Sequence, residues 1–406
     1  MTESSAPRRG GPAVLMVTGA YFPELSGGGL QCKAIIDALR TEVSFTVLTT
    51  CTDPSLPVAD AIDGTPVHRV HIDVSSRWSK VMAAWAMARQ FLTLTSACDL
   101  VHLHGFSQKS ILVVLLAKLL GKRVVLTLHT AGQDEPASVR RQGRLAFWAY
   151  ARADLYITIS APLAVSLAQA GVPPSRLWRG SNGLDTQRFR PAEAGEQASL
   201  RRTLGLPEDG ILILFVGIFS ADKGPHVLFD AWRHVAAAPG AGSSLVYVGT
   251  TKSRYYEVDE TLASGIRQTA ERDGLARRVV FVGETRTIEQ YYRAVDVFVF
   301  PTRREAFGMA LVEAMASGLP CIASLLPGVT DDIVTDGETG LLVEPHDAEA
   351  LAAALTRVLT DRALASRLGR AARQAVVPRF AIERTARLTL EAYRRVLNMP
   401  TMAVTS

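Results

Sequence analysis

The sequence predicts two α/β domains, each built on a doubly wound parallel sheet. Short runs that are apolar on both faces alternate with helical patterns, as expected of strands covered by helices on two sides. This alternation fades near residue 190 and then begins again, which indicates two series of strands. The length of 406 residues suits two ordinary domains. The composition, with 48% hydrophobic and 20% charged residues, excludes a disordered chain.

The first half contains six predicted strands separated by helices. The strands are expected at Ala13–Thr18, Val43–Thr50, Val67–Ile72, Leu100–Leu103, Arg123–Leu128 and Leu155–Ile159, and helices at Leu30–Arg40, Ser79–Thr95 and Ser107–Leu120. Strand and helix in regular alternation are typical of parallel sheets with crossover helices.

The second half repeats the pattern. Its strands are expected at Ile211–Val216, Leu245–Val248, Val279–Val282, Val297–Phe300 and Cys321–Ala323. A boundary is expected within Ser181–Gly195, where the turn signal Asn182-Gly183 precedes Pro191 and several small residues, although Asn-Gly is equally compatible with an ordinary tight turn. We therefore predict domains over residues 1–190 and 191–380, followed by an amphipathic helix in residues 381–406.

The charge distribution indicates which partners are compatible with the sequence, and the cysteine content indicates the cellular compartment. Residues 1–190 hold 20 Lys and Arg against 13 Asp and Glu, a net charge of +7, whereas the rest carries −2. An anionic partner for the first half is expected, but no nucleic acid, because the basic residues are scattered and no nucleic-acid motif occurs. Four widely spaced cysteines exclude a zinc ribbon and fit a reducing cytoplasm. We expect a soluble protein without a secretory signal or membrane span.

The most specific stretch begins after the predicted strand Val297–Phe300. A polar loop carries Arg303, Arg304 and Glu305, and a helix is expected to open near Gly308. The backbone N–H groups at a helix start are unpaired and lie at the positive end of its dipole, which suits an anion or sugar hydroxyls. The carboxyl ends of strands are also where ligands bind in such sheets.

Glu313 follows on the same helix among apolar neighbours. An unpaired carboxylate is costly there, so a hydrogen-bond donor is expected, and ribose hydroxyls are one candidate. The alternative is a carboxylate on a solvated stripe of the helix.

Three further features of the sequence point to ligands. Lys223 lies where a strand turns into a helix, a position that favours a nearby anion or, alternatively, a solvated side chain. Gly27-Gly28-Gly29 precedes the helix at Leu30 and permits either close backbone approach to a ligand or a flexible loop. His129 ends a strand and would ordinarily be structural. A metal site formed with His102 and His104 is disfavoured, because no carboxylate or cysteine accompanies them and no D-x-D triplet occurs.

Several of these stretches resemble a known family. Glu305 and Glu313 match the E-x7-E motif of retaining glycosyltransferases of the GT-B fold, family 4, also described as glycosyl transferases group 1. The segments 292–301, 318–323 and 336–343 are similar to that family as well. The resemblance covers nearly the whole chain and is strongest in the second half.

The resemblance implies a fold, an activity and a set of site residues. It implies two Rossmann-like domains facing across a cleft, with the last helix crossing back to the first domain. It implies a metal-independent transfer of a sugar from a nucleotide-diphosphate sugar, with retention and without a cofactor. The residues expected to act are His129 beside the transferred sugar, Glu305 on its hydroxyls, Lys223 on the diphosphate, Glu313 on the ribose, and Gly28, Gly29, Phe307, Gly308 and Met309 around the donor.

One position departs from the family pattern. Ile218 follows Gly217 where the family usually has an arginine, and isoleucine cannot neutralise a phosphate. Arg303, Arg304 or Arg254 is expected to replace it, unless one cation and the helix dipoles suffice.

The acceptor is expected to meet the basic first domain. Two basic clusters with aromatic neighbours occur there, at 77–80 and at 140–148, a pattern typical of segments lying on an anionic membrane. A glycan, lipid-linked or small-molecule acceptor and association with the inner face of the membrane are therefore hypotheses. The alternative is that these tryptophans belong to the core and the arginines to a solvated face.

Other functions remain open at this stage. A catalytically inactive relative that binds nucleotide or protein, and a sugar-nucleotide epimerase of the same fold, are both compatible with the motifs. A dinucleotide-dependent oxidoreductase is disfavoured, because no G-x-G-x-x-G follows a strand.

Overall fold

The computed structural model describes residues 11–24, 26–236, 242–252 and 258–400. The chain divides into two compact units, the first comprising residues up to 183 together with those from 382 onward, and the second comprising residues 184–381. Each unit contains one sheet flanked by helices.

The sheet of the first unit has eight strands within the described residues. They are β1 (Ala13–Thr18), β2 (Ser44–Cys51), β3 (Ala59–Ile62), β4 (Thr65–His71), β5 (Leu100–His104), β6 (Arg123–Leu128), β7 (Leu155–Thr158) and β8 (Leu177–Arg179). Their order is β3-β4-β2-β1-β5-β6-β7-β8, and neighbours are parallel except β3 and β4. All six predicted strands are present, and the short edge strands β3 and β8 were not predicted.

Six α-helices lie between these strands in the described chain. They are α1 (Gly27–Leu39), α2 (Arg77–Thr95), α3 (Gln108–Leu119), α4 (Pro136–Arg141), α5 (Arg144–Tyr150) and α6 (Ala161–Gln169). Helix α1 begins at Gly27, three residues before the predicted start, because the side chain of Ser26 accepts a hydrogen bond from the backbone N–H of Gly29 and caps the first turn.

The sheet of the second unit has six parallel strands in the part of the chain described. They are β9 (Ile211–Val216), β10 (Ser243–Val248), β11 (Val279–Val282), β12 (Val297–Phe300), β13 (Cys321–Ser324) and β14 (Leu341–Val343), in the order β11-β10-β9-β12-β13-β14. The helices are α7 (Glu196–Thr203), α8 (Pro225–Ala236), α9 (Glu260–Arg272), α10 (Ile288–Ala294), α11 (Met309–Ala316), α12 (Ala348–Thr360) and α13 (Arg362–Phe380). The five predicted strands are present, and β14 was not predicted.

The last helix, α14 (Ile382–Val396), belongs to the first unit and packs on α1. Its Leu390 and Tyr393 are buried in the core that covers β1. The division before residue 184 lies inside the predicted boundary region and ahead of residue 190. Residues just after it pack in the second unit, where Arg188 pairs with Glu289 at 2.7 Å and the Phe189 ring meets the Tyr292 ring edge-on.

Both sheets have a point where the strand order reverses. In the first unit it lies between β1 and β5, and in the second between β9 and β12. The loops that leave the carboxyl ends of such strand pairs diverge to opposite faces and leave room for a ligand. On the other side of β9, Gly217 after β9 and Gly249 after β10 approach each other closely, since a Cβ on Gly249 would lie 2.0 Å from the carbonyl oxygen of Gly217.

Candidate functional site

In the second unit, a lysine and a glutamate meet at the point where the strand order reverses. Lys223 lies in the turn after β9, two residues before α8, and Glu305 lies in the loop after β12. The Nζ atom of Lys223 donates to Oε2 of Glu305 at 2.6 Å, and both side chains are partly buried. The other carboxylate oxygen of Glu305 accepts from the backbone N–H of Ala306 at 2.9 Å. The two residues predicted from separate motifs therefore form one charged pair.

The two loops that carry this pair are fixed to each other through their backbones. Gly224 has φ of +69°, and a Cβ there would lie 2.3 Å from the carbonyl oxygen of Pro301. The Thr302 hydroxyl donates to the carbonyl oxygen of Asp222 at 2.9 Å, and the Arg303 N–H donates to the same oxygen at 2.8 Å. The positions of Lys223 and Glu305 are thus determined by main-chain contacts as well as by their own ion pair.

Two of the three arginines expected to replace the missing family arginine pair with Asp222. The carboxylate of Asp222 pairs with the guanidinium of Arg303 and with that of Arg304, the latter at 2.7 Å. Burial alone would raise the pKa of Asp222, but the Arg303 hydrogen bond and the charges of both arginines and Lys223 lower it below its usual value. Asp222 therefore already neutralises both cations in part. The third candidate, Arg254, lies outside the described residues.

Helix α11 begins four residues after Glu305, and three backbone N–H groups around its start lack a protein acceptor among the described residues. Gly308 caps it with φ of +104°, a conformation that glycine adopts without strain. Within the described chain, the backbone N–H groups of Phe307, Gly308 and Ala310 have no protein acceptor. The Phe307 ring is buried edge-on against the Phe380 ring, so this residue offers its backbone only. Met309 is the first residue of the helix proper.

Glu313 has a protein partner that the sequence did not reveal. The Tyr292 hydroxyl lies 3.0 Å from Oε2 of Glu313 and 3.1 Å from the carbonyl oxygen of Ala310. Burial raises the pKa of Glu313 to about 7, although the Tyr292 hydrogen bond lowers it in part. The donor expected for this carboxylate is thus supplied by Tyr292, and the side chain remains partly exposed.

In the first unit, the three glycines form the first turn of α1, whereas the prediction placed them in a loop before it. The three positions differ in the space available for a Cβ atom. A Cβ on Gly29 would lie 2.4 Å from the carbonyl oxygen of Ala20, whereas a Cβ on Gly28 would lie 3.7 Å from Cδ2 of His129. Gly29 is therefore required by close packing. Gly28 lies beside the predicted histidine.

His129 is held by two neighbours at the carboxyl ends of β5 and β6. Its backbone N–H donates to Oδ2 of Asp134 at 2.8 Å, and its Nε2 lies 2.9 Å from Nδ1 of His104. Burial lowers the pKa of His129 to about 4, so the ring is neutral near pH 7.

The third histidine of the group is turned toward other partners. His102 Nδ1 lies 2.7 Å from the Tyr393 hydroxyl of α14, and its Nε2 lies 2.7 Å from the Thr127 hydroxyl. Among the described residues, no group of three or more His, Cys, Asp or Glu is arranged to hold a metal ion.

Lys109 is a candidate functional residue that the sequence analysis missed. It lies in the first turn of α3, and its Nζ donates to the Thr50 hydroxyl at 2.5 Å, at the end of β2. No carboxylate pairs with it in the described part of the chain. Burial lowers its pKa to about 8, with a small opposing effect of Glu24. Like Lys223, it is a cation near a helix start, and that shared placement is the sequence signal that would have identified it.

Two sequence families match adjoining parts of the chain. "Glycosyltransferase Family 4" matches residues 25–188, and "Glycosyl transferases group 1" matches residues 196–375. The two matches together include every predicted site residue.

Curated relatives and solved structures agree with these matches. A D-inositol 3-phosphate glycosyltransferase of Acidothermus cellulolyticus is 37% identical over 234 residues, covering 56% of this chain and 50% of that protein. A lipopolysaccharide core biosynthesis mannosyltransferase of Rhizobium meliloti is 30% identical over 53% of this chain and 60% of its own length. The chain thus matches about half the length of the first of these relatives.

The fold agrees over nearly the whole chain. The Anabaena protein Alr3699/HepE in complex with UDP-glucose superposes with a TM-score of 0.76 at 20% identity, covering 94% of this chain and 99% of that one. Together with the two parallel-sheet units, this confirms the predicted fold class. The chain belongs to the glycosyltransferases of the GT-B fold and of the family 4 type.

Proposed function

We propose that the chain transfers a sugar from a nucleoside diphosphate sugar to an acceptor hydroxyl, with retention of anomeric configuration and without a metal ion. The observation that carries the proposal is the Lys223–Glu305 pair beside the open amides at the start of α11. A lysine suits the diphosphate, a carboxylate suits sugar hydroxyls, and helix amides suit either. The donors present in structures of similar fold, such as UDP-glucose, support this class of ligand.

In the proposed reaction, the bond between the anomeric carbon and the diphosphate oxygen breaks, and its electron pair remains on the leaving diphosphate. Lys223 and the amides of α11 stabilise the developing negative charge, as preorganised donors do in other enzymes. The acceptor oxygen bonds to the anomeric carbon on the face that the diphosphate leaves, and its proton passes to a diphosphate oxygen. No separate base is required. Glu305 holds the sugar hydroxyls, and Glu313, with its raised pKa, binds the ribose.

The acceptor is proposed to carry an anionic group that Lys109 binds. Among the described residues, its ammonium has the Thr50 hydroxyl and the Gly19 carbonyl as its only hydrogen-bond partners, and it lies in the first turn of α3. An anion there would be stabilised by both the lysine and the helix dipole. The names of the two curated relatives, an inositol phosphate enzyme and a lipopolysaccharide enzyme, are compatible with such acceptors. We place the reaction in the synthesis of a glycan, polysaccharide or glycolipid in the cytoplasm.

A peripheral contact with an anionic membrane is proposed for α2. This helix buries Ala83, Met87, Ala88 and Phe91 on one face and exposes Trp78, Val81, Met82, Trp85 and Leu92 on the opposite one. Trp78 is 76% exposed and Trp85 is 70% exposed. The helix carries Arg77, Lys80 and Arg89 and no acidic residue, a combination that suits an anionic lipid surface. Among the described residues, no helix is long and apolar enough to cross a membrane.

The test of the proposed activity is release of nucleoside diphosphate from a panel of UDP-, GDP-, ADP- and TDP-sugars, with and without acceptor extracts. Release that needs an acceptor, unaffected by excess EDTA, and an NMR spectrum of the product with the anomeric configuration of the donor would support the sugar transfer, its retention of configuration and its independence of a metal ion. Conversion of the donor alone would indicate an epimerase. Nucleotide binding without turnover would indicate an inactive relative, and a complete, magnesium-reversible loss with EDTA would contradict metal independence.

A further inference from the structure

We propose that His104 determines the tautomer of His129. The Nδ1–H group of His104 donates to Nε2 of His129, so that His129 carries its own proton on Nδ1 and presents it as a hydrogen-bond donor. That the Nδ1–H group of His129 donates to an oxygen of the transferred sugar rests on the proposed function. The tautomer itself does not.

The geometry between the two rings is that of an in-plane hydrogen bond. Nδ1 of His104 and Nε2 of His129 are 2.9 Å apart, the ring planes differ by 12°, and the ring centroids are 5.1 Å apart. Two nitrogens come this close at that centroid separation only if both lie nearly on the line that joins the ring centres. The rings therefore meet edge to edge, with the nitrogen lone pair directed at its partner.

The direction of the hydrogen bond follows from the other nitrogen of His104. Its Nε2 is buried and has no partner among the described residues. Burial lowers the pKa of both histidines, to about 4 for His129 and well below the ordinary value for His104, so each ring carries one proton near neutral pH. If His129 were the donor, the proton of His104 would occupy that buried Nε2 as an orphaned N–H. Orphaned buried N–H groups are rare, and orphaned acceptors are less so.

The surrounding contacts hold both rings in place before any ligand binds. His104 ends β5, and His129 follows β6. The carboxylate of Asp134 accepts from the backbone N–H groups of His129 and Phe106, both at 2.8 Å, and thus joins the loops after the two strands. The ring of His102 lies 4.3 Å from that of His104, centroid to centroid. Such fixed neighbours are what a binding group needs to act without reorganisation.

This arrangement assigns a definite role to His129. Its Nδ1 has no protein partner in the described chain, so its N–H is available to a hydroxyl or phosphate oxygen. Its Nε2 lone pair already accepts from His104, so no bare nitrogen is left to take a proton from the acceptor. His129 therefore binds and orients the sugar and is not a general base. His104 is a positioning residue that acts through it.

The test reads the tautomer directly, by long-range ¹H–¹⁵N correlation on the full chain labelled with ¹⁵N-histidine, at neutral pH and without substrate. His129→Gln assigns the signals. The expected result is His129 protonated at Nδ1 and unprotonated at Nε2. A wild-type spectrum with His129 protonated at Nε2 overturns the proposal, whether or not the chain transfers any sugar.

Variants of His104 provide a second readout. His104→Asn retains an N–H donor and should keep the Nδ1–H tautomer, whereas His104→Asp, of the same size, offers only an acceptor and should turn His129 to the Nε2–H form. His234→Asn on the exposed face of α8 is the control. If the proposed activity holds, His104→Asp should lower kcat/KM for the donor about tenfold, with His104→Asn closer to wild type, since one hydrogen bond is misdirected. An unchanged His129 tautomer in folded His104→Asp would overturn the proposal.

Discussion

The Nζ atom of Lys223 lies 2.6 Å from Oε2 of Glu305, although the two residues are 82 positions apart and belong to different loops. Each therefore satisfies the other before any ligand binds. When a donor binds, Lys223 would contact the diphosphate and Glu305 the sugar hydroxyls, and these contacts would replace the ion pair. Since the pair is partly exposed, its own contribution to the free energy of unfolding is small, about 0–1 kcal/mol.

Replacing Lys223 or Glu305 should therefore lower activity with little change in stability. We expect Lys223→Ala and Glu305→Gln each to lower kcat by about 10²–10³-fold, the range seen when one preorganised charge-stabilising group is removed. The melting temperature should change by only a few degrees in either variant. Steady-state kinetics and thermal unfolding on the same samples check this. Wild-type rates with an unchanged melting curve would remove that residue from the site.

Glu313 should make stability depend on pH in a defined direction. Burial raises its pKa to about 7 in the folded state, above the value in the unfolded chain. The folded state then binds more protons than the unfolded state between about pH 4.5 and 7, so this contribution to stability is present in acid and is lost as the pH rises through that range. Glu313→Gln stays neutral and should lose this dependence. As the pH rises from 5 to 8, the free energy of unfolding of Glu313→Gln should increase relative to that of the wild type by at most about 3 kcal/mol.

Denaturant unfolding of the wild type and of Glu313→Gln at several pH values measures this difference. Parallel stability curves for the two proteins would show that Glu313 is ionised in the fold across the whole range.

The glycines at the start of α1 should differ in their tolerance to alanine. A Cβ at Gly29 would meet the Ala20 carbonyl oxygen at 2.4 Å, a clash with backbone that a side-chain rotation cannot relieve. We expect Gly29→Ala to lower the free energy of unfolding by about 1–3 kcal/mol. Gly27→Ala is the matched control, because nothing lies within 4 Å of its Cβ position. Equal melting temperatures for the two variants would contradict the close packing.

The exposed face of α2 should bind anionic vesicles. Every strongly exposed large hydrophobic side chain among the described residues belongs to the first unit, and five of them lie on this one helix. We expect co-sedimentation with vesicles of anionic lipid at low salt, less at high salt, and little with neutral vesicles. Trp78→Ser with Trp85→Ser should weaken it, whereas Val165→Ser on α6 should not. Equal, negligible sedimentation with both vesicle types would point to an acceptor in solution.

Much of the fold was predictable from the sequence because buried parallel strands leave continuous apolar runs. The strands that escaped prediction lack this signal: β3 is an exposed edge strand, and β8 and β14 have three residues each. The local motifs identified Lys223, Glu305 and Glu313, but their partners are distant in sequence. Long-range packing, which no local sequence pattern records, brings Tyr292 to Glu313, Asp222 to Arg303 and Arg304, and His104 to His129.

The proposed function requires that the second unit bind a nucleoside diphosphate sugar through Lys223. The most direct measurement is the thermal shift of the wild type and of Lys223→Ala with UDP-, GDP-, ADP- and TDP-sugars at equal concentration. We expect one nucleotide class to stabilise the wild type, and Lys223→Ala, which remains folded, to lose most of this shift. Absence of any shift in the wild type, or an equal shift in Lys223→Ala, would contradict it.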